Sequence, residues 1–264
     1  MKPKILITGG DSFLSRSLYP LFKKDNYNVV SYSKEKLDLL KLDNIKEIFK
    51  KEKPEIVIHT ATKGGRRIKF DSPDDFYDNL LMLENILSLN SYYDKLFTFG
   101  SGAQIYNKNS YYGFSKYIQS KLVKTEEKNT NLLLFNVFGE LETEDRFIKT
   151  AIRNYINNRP IEIWDDKFFD FFYHEDVYEV IKSLIHVNFS CKEFNCCYDK
   201  KLKLSETAAI INNLSDHKVP IMVRDDSNKS YTGNNTVLQG LKLNLIGLEE
   251  GIKKEYKWCL ENRL

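Results

Sequence analysis

Short apolar runs alternate along the first half of the chain with longer segments whose apolar residues follow helical spacing. The runs are rich in Ile, Leu and Val and are bounded by polar residues or glycine, which is typical of strands buried on both faces of a sheet. They cover residues 4–7, 28–33, 55–60 and 95–106, the last of which ends in a polar loop. Apolar positions 14, 18, 21 and 22, and the segments 42–51 and 73–89, predict amphipathic helices. This order predicts an α/β fold with a Rossmann-type, doubly wound parallel sheet.

The first run passes into a helix through Thr8-Gly9-Gly10. A tight glycine turn of this kind places the free N–H groups of a helix N-terminus at the carboxyl edge of the sheet. Those groups and the positive end of the helix dipole suit a pyrophosphate. The segment is therefore a candidate dinucleotide-binding turn. A plain strand-to-helix turn is the alternative that this segment alone leaves open.

Composition and charge narrow the class of protein. The chain has 264 residues, of which 42% are hydrophobic and 29% charged, as in soluble globular proteins with an ample core. A net charge of +3 is too small to indicate nucleic acid or an anionic membrane as a partner. No apolar run approaches the ~20 residues of a membrane span, and the four cysteines fit no zinc spacing. We expect a cytoplasmic protein without a metal site.

The candidate chemistry centres on Tyr112-Gly113-Phe114-Ser115-Lys116. A tyrosine and a lysine four residues apart share one face of a helix. A phenol with an ordinary pKa near ~10 is a weak acid at neutral pH, and an adjacent cation favours its ionised form. Such a pair can exchange a proton with a sugar hydroxyl or a ketone. Because the chain holds sixteen tyrosines, a chance pairing is the alternative, and the surrounding motifs decide between the two.

The order of these motifs resembles the extended short-chain dehydrogenase/reductase family. Thr8-Gly9-x-x-Ser12-x-x-Ser15 is similar to that family's Thr-Gly-x-x-Gly-x-x-Gly turn, with serines in place of two glycines. A Tyr-x-x-x-Lys pair follows well downstream in the family, as it does here. The segments 132–139 and 247–252 are similar to the family's Asn-Val-Tyr-Gly strand and to its Leu-Glu-Glu-Gly-Ile ending. The resemblance covers almost the whole chain.

The resemblance implies a nicotinamide dinucleotide cofactor. The second run ends in Ser33 and Lys34 and lacks the acidic residue that selects NAD. A hydroxyl and a cation suit a 2′-phosphate, with Arg16 assisting, so the sequence favours NADP, whereas a merely solvated Lys34 is the alternative. The cofactor-binding residues that the resemblance implies are Thr8, Gly9, Gly10, Ser12, Phe13, Leu14, Ser33, Lys34, Asp38, Leu39, Thr60, Ala61, Thr62 and Lys63.

The loop from His59 to Gly65 resembles the corresponding loop of GDP-fucose synthase and its relatives. By resemblance it lies along the dinucleotide and the sugar. Arg66 and Arg67 follow it and are expected either to reach a nucleotide-sugar phosphate or to form a solvated turn. Asn79 matches an asparagine that the family often carries in the next helix.

The resemblance also implies the catalytic residues. The segment Gly100 to Tyr106 is similar to the family's Ser-Ser-x-x-Val-Tyr signature, which supplies a hydroxyl to the substrate oxygen. Counting back from Tyr106 places that hydroxyl at Gly102, so the neighbouring Ser101 is expected to serve. The implied catalytic set is Tyr112, Lys116 and Ser101, with Tyr112 as the acid.

Additional residues distinguish the reactions within this family. The 4,6-dehydratases carry an Asp-Glu pair just after the catalytic Thr, where this chain has Ala103 and Gln104. GDP-fucose synthase uses a Cys near that place and a downstream His, and residues 140–146 contain no His. The remaining set implies an NADPH-dependent C4-ketoreductase of a 4-keto-6-deoxy nucleotide sugar, a GDP-linked hexose or heptose, in surface polysaccharide sugar biosynthesis. A nucleotide-sugar 4-epimerase with tightly bound NAD and a non-catalytic family member are the alternatives.

The resemblance divides the chain into two regions. The implied dinucleotide-binding domain is 1–138 with a return segment at about 167–197, and the implied substrate-binding region is 139–166 and 198–264. Helices near 76–89 and 112–127 are expected to form a homodimer face, with an intramolecular core as the alternative. Phe169 stands where the family has Arg, and His174 is expected to be a local capping partner.

Overall fold

The computed structural model describes residues 2–66, 70–187 and 189–262. The strands are β1 (Lys4–Thr8), β2 (Asn28–Tyr32), β3 (Ile56–His59), β4 (Lys95–Ser101), β5 (Asn129–Leu134), β6 (Val137–Phe138), β7 (Ile161–Ile163), β8 (Asp166–Phe169), β9 (Phe172–Tyr173), β10 (Glu193–Cys196), β11 (Ile221–Val223) and β12 (Asp226–Tyr231). The helices are α1 (Phe13–Lys24), α2 (Leu42–Glu52), α3 (Pro73–Leu87), α4 (Ala103–Tyr106), α5 (Tyr111–Val123), α6 (Phe147–Ile156), α7 (His174–Ile185), α8 (Leu204–Asn212), α9 (Thr236–Gly240) and α10 (Leu248–Glu261).

Within the described residues, six strands form one sheet in the order β10-β5-β4-β3-β1-β2. The pairs β1–β2, β1–β3, β3–β4 and β4–β5 are parallel. The chain runs from β1 outward to β2 and then returns to the other side of β1 at β3, so the strand order reverses at β1. Open parallel sheets bind ligands in the crevice at the carboxyl ends of the strands where this reversal occurs. The predicted doubly wound parallel sheet is confirmed.

Side-chain caps determine where the helices around this crevice begin. The hydroxyl of Ser12 accepts a hydrogen bond from Ser15 N at the start of α1, and that of Ser110 accepts one from Gly113 N at the start of α5. A reciprocal capping box between Ser72 and Asp75 opens α3. Each cap satisfies a backbone N–H that has no partner inside its helix. Helices α2, α3 and α5 pack apolar residues on a core that includes Leu6, Phe49, Val57, Ile86 and Leu96.

The chain forms two compact units. The first comprises Met1–Leu134 and Tyr178–Asn195, and the second comprises Phe135–Val177 and Cys196–Leu264. Residues 135–138, 167–177 and 196–197, which the family resemblance assigned to the first region, belong to the second unit. The reason is strand pairing, because β8 pairs with β12 and β9 pairs with β6.

The second unit has its own apolar core around α6, α8 and α10. Large buried residues of this core are Ile152, Tyr155, Ile211 and Ile252. The carboxylate of Asp176 accepts hydrogen bonds from Ile246 N (2.7 Å) and Gly247 N (3.0 Å), which ties the segment before α10 to the start of α7. In the parts of the chain that the structure describes, no helix is both long and apolar enough to cross a membrane.

Candidate active site

The turn after β1 brings the carboxyl ends of two neighbouring strands together. Gly9 has a φ of +69°, a left-handed conformation that favours glycine. A Cβ on Gly9 would lie 2.7 Å from Ala61 Cα in the loop after β3, so a larger residue would push the two loops apart. The absence of a side chain therefore lets the loops after β1 and β3 pack closely at the point where the strand order reverses, which is where open parallel sheets bind ligands.

The two serines that replace family glycines take part in hydrogen-bonded pairs. Ser12 Oγ lies 2.7 Å from Thr60 Oγ1 and caps α1, and Thr60 Oγ1 also donates to Thr8 O (2.6 Å). Ser15 is fully buried, and its hydroxyl lies 2.8 Å from that of Ser31 in β2. The extra hydroxyl groups are thus satisfied by partners on neighbouring strands and loops, so the departure from glycine is accommodated without an unpaired buried polar group.

A cleft of about 290 Å³ opens at this edge of the sheet in the first unit. Of the predicted cofactor-binding residues, eight line it: Gly9, Ser12, Lys34, Asp38, Leu39, Ala61, Thr62 and Lys63. The cleft lining does not include the other six: Thr8, Gly10, Phe13, Leu14, Ser33 and Thr60. Asp11, Leu37, Leu40 and Met82 also line the cleft and were missed. Met82 follows the apolar stripe of α3, so its sequence signal is that of an ordinary core residue.

Asn79 connects the loop after β3 to two helices. It is fully buried, its Oδ1 accepts from Lys63 N (2.8 Å), and its Nδ2 donates to Lys63 O (2.9 Å). Nδ2 also lies 3.3 Å from Ser115 Oγ on α5. The ammonium group of Lys63 pairs with Asp78. These bonds fix the loop that forms one wall of the cleft.

Tyr112 and Lys116 lie on α5 with the expected relation. Lys116 Nζ is 5.9 Å from the centroid of the Tyr112 ring and donates a hydrogen bond to Phe99 O on β4 (2.9 Å). Burial lowers the pKa of Lys116 to about 8, because desolvation disfavours the ammonium form. The Tyr112 side chain is only partly buried. The pair thus combines an accessible phenol with a buried amine whose charge is sensitive to pH near neutrality.

The glycine pair of the loop after β3 packs against this tyrosine. Gly65 has a φ of +69°, and a Cβ there would lie 2.8 Å from Tyr112 Cζ. Gly65 N donates to Asp71 Oδ1 (2.7 Å), which holds the turn in place. The loop that borders the cleft therefore also contacts the phenol ring of Tyr112. Arg66 is exposed, and Arg67 lies outside the described residues.

Ser101 ends β4, and its side chain is buried. Its hydroxyl oxygen accepts a hydrogen bond from Ala103 N (3.2 Å). Gly102, the position that the family motif indicates, has no hydroxyl to offer. Lys116 bonds to Phe99, two residues before Ser101 on the same strand, so the structure places all three predicted catalytic residues on the adjoining elements β4 and α5.

A profile of the NAD dependent epimerase/dehydratase family matches residues 5–197. The chain belongs to this family. GDP-L-colitose synthase from Yersinia pseudotuberculosis is 23% identical to it, over 98% of this chain and 99% of the relative. The GDP-mannoheptose C4 reductase MlghC from Campylobacter jejuni, solved with NADP bound, has a TM-score of 0.78 at 21% identity and covers 97% of this chain and 98% of its own. The UDP-glucose 4-epimerase from Thermotoga maritima has a TM-score of 0.83 at 17% identity, covering 99% and 100%.

These similarities confirm the resemblance that the sequence indicated, and at such identities the solved structures share the fold. Both the reductase and the 4-epimerase superpose over nearly the whole chain. The fold of the epimerase/dehydratase family therefore does not choose between the two reactions, and the side chains of the site must do so.

Two histidines of this family member have definite surroundings. His59, at the end of β3, is buried, and its Nδ1 lies 2.9 Å from Thr8 Oγ1. Burial and the nearby charge of Lys116 lower the pKa of His59 to about 3, so its ring is neutral. His174 is in the second unit, where its Nε2 lies 2.5 Å from Glu140 Oε2. Although burial opposes it, hydrogen bonds from His174 and Tyr173 lower the pKa of Glu140 to about 2.

Proposed function

We propose that this chain is an NADPH-dependent C4-ketoreductase that acts on a 4-keto-6-deoxy nucleotide sugar. The observation that carries the proposal is the placement of Tyr112 and Lys116 beside the loop that borders the cofactor cleft. The proposal that the cleft holds a dinucleotide is supported by Gly9 and Ser12 in its lining, because α1 begins directly after Ser12 and a helix N-terminus favours a phosphate. Lys34 lies in its lining and is the proposed partner of the 2′-phosphate.

In this mechanism the bound cofactor supplies the hydride, and the protein supplies the proton and the orientation. Tyr112 donates its phenolic proton to the C4 oxygen of the substrate. The ammonium of Lys116 stabilises the phenolate that remains, which is worth more in a partly desolvated site than in water. Ser101 accepts from Ala103 N at its oxygen and retains its own proton, with which it donates to the same substrate oxygen.

The residues after Ser101 favour simple reduction over dehydration. The 4,6-dehydratases carry an Asp-Glu pair directly after the family's hydroxyl position, which is Gly102 here, and Ala103 has no titratable group. Gln104 is buried and its amide is bonded within the protein, so it offers no acid or base to a substrate.

The alternative 4-epimerase would need the same three residues and would retain oxidised cofactor. A protein that carries bound NAD after purification and interconverts C4 epimers would support the epimerase and contradict the reductase.

The nucleotide and sugar are proposed from the relatives. The similar proteins include GDP-L-colitose synthase and a GDP-mannoheptose C4 reductase, which supports a GDP-linked hexose or heptose. A role in making sugars for surface polysaccharides is part of the same proposal. The second unit is proposed as the substrate-binding region. Assaying GDP-linked, dTDP-linked and UDP-linked 4-keto-6-deoxy sugars side by side tests the choice of nucleotide.

Lys34 provides a test of the cofactor proposal. In a complex with NADPH, a charge-assisted bond from Lys34 to the 2′-phosphate is worth about 1.5–3 kcal/mol, so Lys34→Ala should weaken NADPH binding about tenfold or more. NADH binding should not change, because NADH lacks that phosphate. The matched control is Lys36→Ala, since Lys36 is exposed and lies over the Tyr32 ring, outside the cleft lining. Equal weakening of NADPH and NADH by Lys34→Ala in fluorescence titrations would contradict this role.

The pKa of Lys116 predicts the alkaline limb of the rate profile. Below about pH 8 Lys116 is protonated and stabilises the phenolate, and above it the charge is lost, so kcat/KM should fall as pH rises through about 8. Arginine stays protonated at all accessible pH values. Lys116→Arg should therefore move the alkaline limb to higher pH, whatever its absolute rate. A limb that stays near pH 8 in Lys116→Arg would assign that titration to another group.

The exposed faces of α3 and α5 support a homodimer. Tyr77 and Leu81 on α3 are 66% and 42% exposed, and Phe114 on α5 is 45% exposed. Phe114 stacks on Phe76, with ring centroids 5.4 Å apart, which joins the two helices into one apolar surface. We expect sedimentation to give a dimer at micromolar concentration and Phe114→Glu to shift it to monomer. A monomeric parent protein would overturn this assembly.

A further inference from the structure

A carboxylate at the edge of the main sheet accepts hydrogen bonds from side chains of three neighbouring elements. Glu193 opens β10, and its Oε2 accepts hydrogen bonds from Asn131 Nδ2 (2.6 Å) on β5 and from Gln104 Nε2 (3.2 Å) on α4. Its Oε1 accepts one from Lys124 Nζ (3.0 Å) at the end of α5. Burial would raise the pKa of Glu193, but these bonds and one from Ser120 hold it below its ordinary value. Glu193 is therefore a fixed anion at neutral pH.

The carboxylate determines how the Gln104 amide is oriented. A carboxylate only accepts hydrogen bonds, so the NH₂ group of Gln104 must face Glu193. The amide oxygen then points the other way, where it accepts from Ser101 N (3.2 Å). Gln104 thus bridges Glu193, which lies 89 residues away along the chain, to the backbone of the proposed catalytic serine.

Gly100 on β4 has no side chain at the point where the side-chain amides of Gln104 and Asn131 approach the strand. A Cβ on Gly100 would lie 2.6 Å from Gln104 Oε1 and 2.8 Å from Asn131 Nδ2. Asn131 is itself held by Thr98, whose hydroxyl donates to its Oδ1 (2.9 Å). Gln104, Asn131 and Thr98 are all buried. Buried, mutually satisfied polar groups of this kind fix a single local geometry.

The geometry points to Gln104, held by Glu193, as a positioning residue that fixes the Ser101 hydroxyl for catalysis. The hydroxyl of Ser101 is positioned by the hydrogen bond that it accepts from Ala103 N in the turn after β4. Gln104 fixes the backbone of Ser101, the first residue of that turn, because its amide oxygen accepts a hydrogen bond from Ser101 N. This inference rests on the proposed function, in which Ser101 donates to the substrate oxygen. The amide that occupies one of the two positions of the dehydratase acid pair thus supports the serine and takes no part in proton transfer.

A double-mutant cycle tests this role. Gln104→Met keeps the length of the side chain and removes both hydrogen bonds, and it should lower kcat about tenfold while the Kd for NADPH stays unchanged, because small misplacements of a catalytic group cost this much or more. In a Ser101→Ala background the same change should lower kcat no further. Lys124→Met, which removes a different partner of Glu193, is the matched control and should leave kcat as in the parent protein.

Other results would overturn the inference. They are an equal loss of kcat from Gln104→Met with or without Ser101, an equal loss from Lys124→Met, or no loss at all. If the parent protein reduces no 4-keto nucleotide sugar, the proposed function fails, and amide hydrogen exchange then decides the positioning role alone. Exchange of the Ser101 amide about tenfold faster in Gln104→Met but not in Lys124→Met would support the role, and equal exchange rates would overturn it.

Discussion

Replacing Tyr112 by phenylalanine is expected to lower kcat for ketone reduction by about 10²–10⁴-fold, the usual contribution of a positioned acid. The ring keeps its contact with the loop at Gly65, so folding and NADPH binding should be preserved. Only the phenolic hydroxyl is lost, and with it the proton that Tyr112 donates in the proposed mechanism. The effect should therefore appear in kcat and leave the Kd for NADPH unchanged. Steady-state loss of NADPH absorbance and a fluorescence titration measure the two quantities.

The neighbouring tyrosine is the control for this experiment. Tyr111 precedes Tyr112 on α5 and its side chain is 47% exposed, so Tyr111→Phe removes the same hydroxyl from the adjacent position. We expect Tyr111→Phe to retain the activity of the parent protein. Retention of activity in Tyr112→Phe, or equal loss in both variants, would remove Tyr112 from the mechanism.

Lys149→Met is expected to be among the most destabilising single substitutions in the second unit. Lys149 is fully buried on α6, and its Nζ lies 3.0 Å from Glu255 Oε1 on α10 and donates to Glu140 O (2.9 Å). Burial, together with the negative charge of Glu255, raises the pKa of nearby Glu142, and burial likewise raises the pKa of Glu255. Lys149 is the only cation among Lys149, Glu142 and Glu255. Its removal therefore leaves two buried carboxyl groups without a compensating positive charge. A loss of about 3 kcal/mol or more in the free energy of unfolding is the expected cost.

A second variant separates charge from packing. Lys149→Met with Glu255→Met removes both partners of the pair and should regain a large part of the lost stability, because the Glu255 carboxyl is no longer left buried without its cation. Carboxyls whose pKa is raised on folding stabilise the protein at low pH, and that stability is lost as pH rises through the raised pKa. The single variant should therefore lose stability more steeply with rising pH than the double variant. Urea unfolding at several pH values would show this, and equal stabilities would contradict it.

The fold was predictable because its signals are local. Each strand of the main sheet before β10 carries its own apolar run, and the turn at Gly9 marks the passage from strand to helix. The pairing of Tyr112 with Lys116 was also local, since both lie on one face of one helix. Such patterns depend only on the period of the helix or strand and need no knowledge of distant partners.

The supporting contacts could not be predicted for the opposite reason. From the sequence, Ser12 is only a departure from the family's glycine turn. Its hydrogen-bond partner, Thr60, follows β3, so the bond depends on the pairing of β1 with β3. From the sequence, Gln104 is only a residue that replaces an acid of the dehydratases. The structure shows that its amide donates a hydrogen bond to Glu193 on the edge strand. Lys149 reads as an ordinary helix position, and its burial follows from the packing of α6 against α10. In each case the residue that forms the hydrogen bond or ion pair is far away in the sequence.

The most direct test of the proposed reaction is deuteride transfer. The purified protein is mixed with NADPH that carries deuterium at the transferred position and with a GDP-linked 4-keto-6-deoxy sugar, and the product is analysed by NMR. A C4-ketoreductase places one deuterium on C4 of the sugar for each NADPH consumed, and Tyr112→Phe does so far more slowly. Interconversion of the two C4 epimers of a GDP-linked sugar that carries a C4 hydroxyl, without net consumption of NADPH, would contradict the reductase. A protein that transfers no deuterium to any 4-keto nucleotide sugar would contradict it as well.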